Sequence, residues 1–426
     1  MQLRETDLLI TNIGVLATPE GNEARGGSRQ GQIRILKDAY IKVKAGLIDQ
    51  IGTRDQLRAQ QITSEKVIDA EGSLVTPGLV DPHTHLIFAG WRQKELALKL
   101  KGVGYLEILE QGGGILNTVK NTRAASLQQL QDLAAQILDR MLAHGVTTCE
   151  AKSGYGLDLN NELKSLQAIK KLNEHHLVEL VPTFMGAHAV PPEYKGKTAD
   201  YIQLIKEEMI PEVARQGLAE FNDVFCEQGV FSVDESKEIL EHGLKHGLSP
   251  KAHAEEITAL GGASMAAKVG AISADHLIYA TDEGINDMSR SGTIAVLLPA
   301  TSLNLGADFA RAGDMIAAGV PVALATDFNP GSCPTDSLQL VMNLAGMKYK
   351  MTPEEVLTAV TINAAAAIGR AEKVGSIEPG KQADLVVWDA PDLDFIMYRF
   401  GTNLVKMVVK KGQAFAIPKK LKSIFS

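Results

Sequence analysis

The chain has 426 residues, of which 45% are hydrophobic and 22% charged, and its formal net charge is −8 at pH 7. This composition is typical of a globular protein with room for one large domain and one smaller domain. The negative charge and the dispersed lysines and arginines argue against nucleic acid as a partner. Three widely spaced cysteines, Cys149, Cys226 and Cys333, favour reduced thiols rather than a disulfide framework.

The sequence does not predict secretion or insertion into a membrane. Residues 1–7 are charged and lack the apolar centre of a signal peptide, and no apolar run approaches the roughly 18 residues of a membrane span. We therefore expect a soluble, cytoplasmic protein with no membrane partner. A homodimer is left open as its assembly.

Both ends of the chain have the pattern of β-strands. Runs of β-branched residues closed by glycine or polar residues occur at 8–16 and 39–48, and again at 383–389 and 404–412. Segment 18–32 is rich in Gly, Glu and Arg, which predicts a mobile surface loop. We predict a small β-sandwich domain built from residues 1–73 and 370–426, with a larger domain, 74–369, inserted between them.

In the larger domain, short apolar strands alternate with longer helical stretches, as in a parallel α/β sheet. A capping box at Ser126 and Gln129 opens one helix, and Thr352 opens another that we expect to run to Gly369. Eight strands are predicted, at 74–80, 146–150, 178–184, 220–225, 250–253, 271–275, 293–298 and 321–325. Eight strands favour a closed (β/α)8 barrel like that of a TIM barrel, and an open doubly wound sheet is the alternative.

Two histidines follow the first predicted strand, in the motif Asp81-Pro82-His83-Thr84-His85. Residues i and i+2 of an extended chain lie on one face, so the two imidazoles are expected to converge. An isolated His-x-His motif is short and frequent, and by itself it indicates only a polar loop. The positions of other polar residues decide between the two interpretations.

Polar side chains follow other predicted strands, at the end of the barrel where an active site is expected. They are Glu150, Lys152 and Tyr155 after the second strand, His188 after the third, His253 and Glu256 after the fifth, His276 after the sixth and Asp327 after the eighth. Packing does not explain so many polar residues at strand ends. The other five histidines lie among charged residues on predicted helices, where solvation explains them: His144, His175, His176, His242 and His246.

Four of these side chains match a metal site. The imidazoles of His83, His85 and His253 and the carboxylate of Asp327 suit Zn²⁺ or Fe²⁺ and leave a position for water. Such an ion lowers the pKa of bound water from about 15.7 to near 7, so we expect hydrolysis. Asp327 can accept and pass on a proton, and His276, which we expect to titrate near neutral pH, can polarise a carbonyl.

The order of these motifs resembles the amidohydrolase superfamily, metal-dependent hydrolases on a (β/α)8 barrel. Four segments narrow the resemblance to the imidazolonepropionase family. The resemblance itself extends through nearly the whole chain. They are residues 81–92, Ser153-Gly154-Tyr155-Gly156, Gly186-Ala187-His188 and residues 325–332. Segment 21–31 matches least well.

The resemblance implies hydrolysis of the lactam bond of 4-imidazolone-5-propanoate to N-formimidoyl-L-glutamate, the third step of histidine degradation. It implies one metal ion, Zn²⁺ or Fe²⁺/Fe³⁺, bound by His83, His85, His253 and Asp327. It also implies a small-molecule site lined by Arg92, Tyr155, His188, Glu256, Asn329, Gly331 and Ser332. The catalytic groups would be Glu256, His276 and Asp327.

Two side chains support this substrate on chemical grounds. A propionate calls for a fixed cation, and the planar guanidinium of Arg92 suits a carboxylate. Glu256 lies three residues after His253, and its carboxyl group can hydrogen-bond a ring N–H. A surface salt bridge is the other interpretation of Arg92.

Two further functions stay open. A deaminase of a heterocyclic amine in the same superfamily would share the His-x-x-Glu pattern after strand five, but a neutral ring would not require Arg92. A non-catalytic scaffold of the same fold would be expected to lose metal ligands. All four predicted ligands are present in this chain.

Overall fold

The computed structural model describes residues 8–60, 64, 66–101 and 113–416. The outermost parts of the predicted small domain, 1–7 and 417–426, lie outside the described residues. The strands are β1 (Leu8–Thr18), β2 (Arg34–Lys44), β3 (Leu47–Thr53), β4 (Lys66–Asp69), β5 (Leu74–Pro77), β6 (Leu79–Asp81), β7 (Val146–Lys152), β8 (Glu179–Ala187), β9 (Phe221–Cys226), β10 (Ser249–Ala254), β11 (Ser273–His276), β12 (Ile294–Leu297), β13 (Val322–Leu324), β14 (Leu385–Trp388), β15 (Val405–Lys410) and β16 (Gln413–Ala416).

The α-helices are α1 (Arg54–Gln60), α2 (Leu96–Leu100), α3 (Ile115–Ala124), α4 (Leu127–Ala143), α5 (Leu159–His175), α6 (Thr198–Leu204), α7 (Ile210–Gln216), α8 (Val233–Lys245), α9 (Gly262–Lys268), α10 (Asp282–Ser291), α11 (Pro299–Leu305), α12 (Ala312–Ala317), α13 (Leu338–Leu344), α14 (Pro353–Ala359), α15 (Ile362–Ala367) and α16 (Leu393–Tyr398). Short 3₁₀ helices lie at Gly27–Gly31, Gln93–Glu95 and Pro192–Tyr194, and π-helical turns at Ile205–Met209 and Ala345–Tyr349. Within the described parts of the chain, no helix has the length and apolar character needed to cross a membrane.

One sheet joins strands from both ends of the chain. Among the described residues its order is β16-β15-β14-β5-β1-β2-β3, with β4 paired to β1. It is antiparallel except where β1 pairs with β4 and β5. Its core includes Ile13, Ile41 and Val387. The prediction that both chain ends share one β domain is confirmed, while the boundaries at residues 73 and 370 stay predictions.

The second sheet contains β6 to β13 in sequence order, and all of its neighbouring strands are parallel. Residues just beyond its two outer strands join them. The N–H of Asp327 donates to the His83 carbonyl (3.1 Å), and the N–H of His85 donates to the Phe328 carbonyl (2.9 Å). The predicted (β/α)8 barrel is therefore confirmed, and the open sheet is wrong.

The predicted first barrel strand, 74–80, is two strands in two sheets. Leu74–Pro77 (β5) pairs with β1 and β14, whereas Leu79–Asp81 (β6) pairs with β7 of the barrel. A Cβ at Gly78 would overlap the Thr147 side chain, so glycine is needed where the chain passes between the sheets. Both strands are fully buried, and a continuous apolar run therefore hides the switch.

Segment 18–32 is attached to the barrel instead of forming a free loop. The buried side chain of Gln30 donates to the Val322 carbonyl and accepts from the Val322 N–H, both at 3.0 Å. The side chain of Asn363 also binds the backbone of Arg25. Its Oδ1 accepts from the Arg25 N–H (2.7 Å), and its Nδ2 donates to the Arg25 carbonyl (3.0 Å). These contacts join the N-terminal segment to the start of β13 and to α15.

The predicted helix start at Ser126 is confirmed, whereas the helix end predicted at Gly369 is wrong. In the capping box of α4, Ser126 Oγ accepts from the Gln129 N–H (3.2 Å) and Gln129 Oε1 accepts from the Ser126 N–H (2.9 Å). The helix expected to run from Thr352 to Gly369 is instead divided into α14 and α15. At the break, the hydroxyl of Thr361 donates to the Leu357 carbonyl, and the backbone of Thr361 leaves the helical region.

Candidate active site

Three imidazoles meet at the carboxyl end of the barrel. His83 and His85 lie just after β6, and His253 lies in β10. One nitrogen of each ring lies within 4.8 Å of the others, and all three residues are buried. The distance from His85 Nε2 to His253 Nε2 is 3.2 Å. The structure therefore brings together the three histidines predicted as metal ligands.

Buried aspartates orient two of these rings. His83 Nδ1 lies 2.6 Å from Asp275 Oδ2, and His253 Nδ1 lies 3.1 Å from Asp223 Oδ1. Because an ionised carboxylate only accepts hydrogen bonds, each Nδ1 carries the proton and each Nε2 keeps a lone pair. Burial, and then Lys152, lowers the pKa of His83 well below its usual value, which keeps this ring neutral.

The arrangement fits a divalent metal ion. His83 Nε2 is buried and has no hydrogen-bond partner, and the same is true of His85 Nδ1. His83 Nε2 lies in the same cluster as the paired His253 Nε2 and His85 Nε2, and a cation placed among the three rings would use their lone pairs as ligands. Neutral imidazoles are ligands that Zn²⁺ and Fe²⁺ accept readily.

Asp327 approaches this cluster from the loop after β13. Its Oδ1 lies 3.4 Å from His83 Nε2 and 3.6 Å from His85 Nε2. Its Oδ2 accepts a hydrogen bond from Thr301 Oγ1 at 2.7 Å. Burial raises the pKa of Asp327 to about 6. Its φ of +52° is unusual for a residue other than glycine, and such conformations concentrate at functional sites.

A buried ionic network lies beneath the histidines. Lys152 Nζ donates to Glu150 Oε1 and Asp223 Oδ2, both at 2.7 Å, and lies 3.9 Å from Asp275 Oδ2. Burial alone would lower the pKa of Lys152, but Asp223 and Glu150 hold it above its usual value. Glu150 Oε2 also accepts from the backbone N–H of Thr84 (3.3 Å), the residue between His83 and His85 in the chain. Lys152 thus links the carboxylates that orient the imidazoles, and the buried Lys251 Nζ lies 3.4 Å from Glu150 Oε1 as a second cation of the network.

His276 and Glu256 lie beside the cluster. The His276 ring centroid is 5.1 Å from that of His253, and His276 Nδ1 is 3.6 Å from Glu256 Oε1. Both ring nitrogens of His276 are buried without a hydrogen-bond partner. Burial lowers the pKa of His276 well below its usual value, so the prediction that it titrates near neutral pH is wrong. Burial, helped by Asp327, raises the pKa of Glu256 to about 8.

Arg92 lies against the loop that follows β13. The backbone N–H of Arg92 donates to the Pro330 carbonyl (3.4 Å), and a Cβ at Gly331 would overlap the guanidinium of Arg92. Arg92 Nε is 3.6 Å from Glu95 Oε2, but the Arg92 side chain is only 9% exposed. A surface salt bridge therefore does not explain Arg92.

Asn329 shapes the same loop. Its Oδ1 accepts from the N–H groups of Gly331 (2.8 Å) and Ser332 (2.7 Å). Its Nδ2 donates to the Asp327 carbonyl (2.8 Å) and to Ser332 Oγ (2.7 Å). The side chain therefore organises the loop that carries the predicted substrate residues Gly331 and Ser332, and contacts of all three with a substrate stay predictions.

Tyr155 and His188 line the other side of the cluster. The His188 ring stacks on that of His85, with centroids 4.7 Å apart and an interplanar angle of 18°. The Tyr155 ring lies 5.2 Å from that of His188. Burial, with a contribution from His253, lowers the pKa of His188 to about 3. Every predicted site residue thus lies at or next to one end of the barrel.

The groups that orient the site were not predicted from the sequence. Asp223 and Asp275 are charged residues inside buried barrel strands, β9 and β11, and that position was an available signal. Thr301 lies in α11, where a threonine in a short helix gives no such signal. Each acts on a residue far away in the sequence, so its partner could not be identified from local pattern.

Known proteins resemble this chain over nearly its full length. The model of the amidohydrolase family matches residues 74–415. The imidazolonepropionase of Shouchella clausii (strain KSM-K16) is 52% identical over 416 residues, which are 97% of this chain and 92% of that protein. The imidazolonepropionase of Bacillus velezensis (strain DSM 23117 / BGSC 10A6 / LMG 26770 / FZB42) is 50% identical over 411 residues, which are 96% of this chain and 97% of that protein.

Solved structures share the fold at low sequence identity. E. coli guanine deaminase has a TM-score of 0.72 at 15% identity, with 97% of this chain and 100% of that chain covered. An adenosine deaminase from Xanthomonas campestris with bound zinc has a TM-score of 0.69 at 19% identity, covering 97% of this chain and 93% of that chain. The family match and the far higher identity to the first two proteins place this chain in the amidohydrolase family and, within it, among the imidazolonepropionases.

Proposed function

We propose that this protein hydrolyses 4-imidazolone-5-propanoate to N-formimidoyl-L-glutamate in histidine degradation. The observation that carries the proposal is the identity of about half of all residues to imidazolonepropionases along nearly the whole chain. The site agrees with that reaction, because three buried imidazoles converge as metal ligands would, and the guanidinium of Arg92 lies against Gly331 in the loop that also carries Asp327.

We further propose that His83, His85, His253 and Asp327 hold one ion, Zn²⁺ or Fe²⁺/Fe³⁺. When bound, such an ion supplies Lewis-acid chemistry, which polarises a carbonyl and makes water a stronger acid. The unpartnered, buried His83 Nε2 supports this assignment. Elemental analysis of the purified protein identifies the metal.

The remaining groups have complementary roles in the proposed reaction. Water adds to the lactam carbonyl and the ring C–N bond breaks. The Asp327 carboxylate, with its pKa near 6, accepts a proton from the water and returns it to the leaving nitrogen. Neutral His276 donates a hydrogen bond to the carbonyl oxygen, and Glu256, largely protonated at neutral pH, donates one to a ring nitrogen.

The direct test of this function uses freshly generated imidazolone propionate. We expect its absorbance to decay in the presence of the metal-loaded enzyme and N-formimidoyl-L-glutamate to accumulate. Neutral heterocyclic amines should not be deaminated. Binding of imidazolone propionate without turnover would instead favour a non-catalytic scaffold, and release of ammonia from neutral amines would favour a deaminase.

The cellular location and the oligomeric state of the protein are two further proposals. We expect a cytoplasmic enzyme that acts on its small-molecule substrate without a nucleic-acid partner. Analytical ultracentrifugation of the purified protein distinguishes a monomer from the homodimer that the sequence leaves open.

Replacing Arg92 by alanine should lower kcat/KM for imidazolone propionate by roughly ten- to more than a hundredfold. If the guanidinium binds the propionate, the variant loses hydrogen bonds to a charged group, each contributing about 1.5–3 kcal/mol. Steady-state kinetics and metal analysis of the same preparation measure the effect. Metal content should not change, because Arg92 donates no ligand to the ion.

Arg92→Lys is the matched variant for this prediction. Lysine keeps the charge but not the planar fork, so it should restore only part of kcat/KM. Arg290→Ala removes an exposed arginine of α10 and should have no effect. An unchanged kcat/KM in Arg92→Ala would contradict the assigned role of Arg92.

Replacing His276 by asparagine should lower kcat by about a hundredfold or more while metal content stays near that of the wild type. The physical reason is that both ring nitrogens of His276 are buried and available for a reacting group. Single-turnover kinetics with parallel metal analysis measure the effect. Loss of metal in proportion to activity would instead identify His276 as a ligand.

A further inference from the structure

A buried carboxylate lies behind the loop that carries Tyr155. Glu162, in α5, is fully buried and accepts three backbone N–H groups of residues 154–157. Its Oε1 lies 2.8 Å from the nitrogen of Gly156 and 2.9 Å from that of Leu157. Its Oε2 lies 3.1 Å from the nitrogen of Gly154. This loop therefore wraps around one buried carboxyl group.

Glycine is required at two positions of this loop. Gly154 has φ +109°, a conformation that other residues rarely adopt. At Gly156, a Cβ would lie 2.5 Å from the backbone nitrogen of Glu162 and 2.8 Å from its Oε1. The motif Ser153-Gly154-Tyr155-Gly156 thus reflects the close approach of the backbone to the carboxylate of Glu162.

The loop transmits this geometry to the substrate pocket. The Gly154 carbonyl lies 2.9 Å from His188 Nδ1. A carbonyl only accepts hydrogen bonds, so Nδ1 carries the proton and His188 Nε2 keeps a lone pair. Tyr155, in the same loop, packs with its ring centroid 5.9 Å from that of His85. The position of one carboxylate therefore affects two predicted substrate residues.

We propose that Glu162 is a positioning residue for substrate recognition, which fixes residues 153–157 so that Tyr155 faces the pocket and Gly154 sets the tautomer of His188. His188 Nε2 then presents a hydrogen-bond acceptor, which selects heterocycles that carry a ring N–H. The identity of the substrate in this proposal rests on the proposed function. The loop geometry and the tautomer do not depend on it.

A purely structural role for Glu162 makes a different prediction. A carboxylate that only stabilised the fold would, when replaced, lower stability, metal content and activity together. A positioning residue instead affects KM more than kcat and leaves metal content unchanged, because the proposed metal ligands lie in other segments of the chain.

The test compares Glu162→Gln with Glu174→Gln, the same substitution at a half-exposed position near the end of α5. An amide offers one acceptor oxygen and places N–H groups against the backbone donors. We expect Glu162→Gln to raise KM for imidazolone propionate about tenfold or more, with normal metal content, since small misplacement of binding groups is costly. Glu174→Gln should behave like the wild type. An unchanged KM, or parallel loss of metal and activity, would overturn the proposal.

A second measurement does not depend on turnover. In the ¹⁵N spectrum of histidine-labelled wild-type protein, assigned with His188→Asn, we expect His188 to carry its proton on Nδ1. A proton on Nε2 would overturn the proposal even if the enzyme hydrolyses imidazolone propionate. If the wild type showed no hydrolysis, the proposed function would fail, whereas a comparison of the His188 tautomer in wild type and Glu162→Gln would still test the role of Glu162.

Discussion

Replacing His253 by alanine should remove the bound metal and reduce hydrolysis to background. His253 Nε2 lies 3.2 Å from His85 Nε2, and its Nδ1 is oriented by Asp223, so its lone pair is directed at the centre of the cluster. The variant loses one of the four proposed ligands and removes the imidazole that the buried Asp223 binds, so we expect the ion to be lost on purification. His83→Ala should give the same result. Elemental analysis and initial rates of the same preparations measure both quantities.

The matched control is His175→Ala, because His175 lies at the end of α5 with its side chain 82% exposed. We expect wild-type metal content and rate for this variant. Full metal content and a near-normal rate in His253→Ala would show that the proposed metal site is wrong.

Replacing Lys152 by methionine should destabilise the protein by about 3–5 kcal/mol, the usual cost of removing one partner from a buried ion pair. The substitution keeps most of the side-chain volume but removes the cation that Asp223 and Glu150 share, and it leaves Glu150 with Lys251 Nζ, at 3.4 Å, as its cationic partner. Asp223 and Asp275 would then orient His253 and His83 less firmly, and loss of such supporting contacts typically weakens metal binding about 10- to 100-fold. Urea unfolding and metal titration measure the two effects.

Lys237→Met serves as the control for this prediction. Lys237 pairs with Glu241 at 3.8 Å on α8, and both side chains are about half exposed. Such a surface pair contributes at most about 1 kcal/mol. If Lys152→Met were as stable as Lys237→Met and bound metal equally well, the buried network would have no role in holding the site.

The sequence alone determined the barrel and the positions of its reactive groups. Strand and helix patterns are local, so eight short apolar runs separated by helices were sufficient to predict the (β/α)8 fold. The carboxyl ends of parallel strands meet at one face of a barrel, so the positions of His83, His253 and Asp327 along the chain predicted their approach. The capping box at Ser126 was likewise a local signal.

Only the tertiary structure decided which groups orient those side chains. The pairs His83–Asp275 and His253–Asp223 join residues 192 and 30 positions apart, and no local pattern specifies such partners. The same reason hid the contact of Gln30 with Val322, whereas the switch at Gly78 was hidden because the strands on both sides of it are buried and belong to one apolar run. The low pKa of His276 also arises from burial, which depends on the packed barrel rather than on neighbouring residues. Residue type and spacing therefore predicted the chemistry of the site, whereas long-range packing set its orientation and charge.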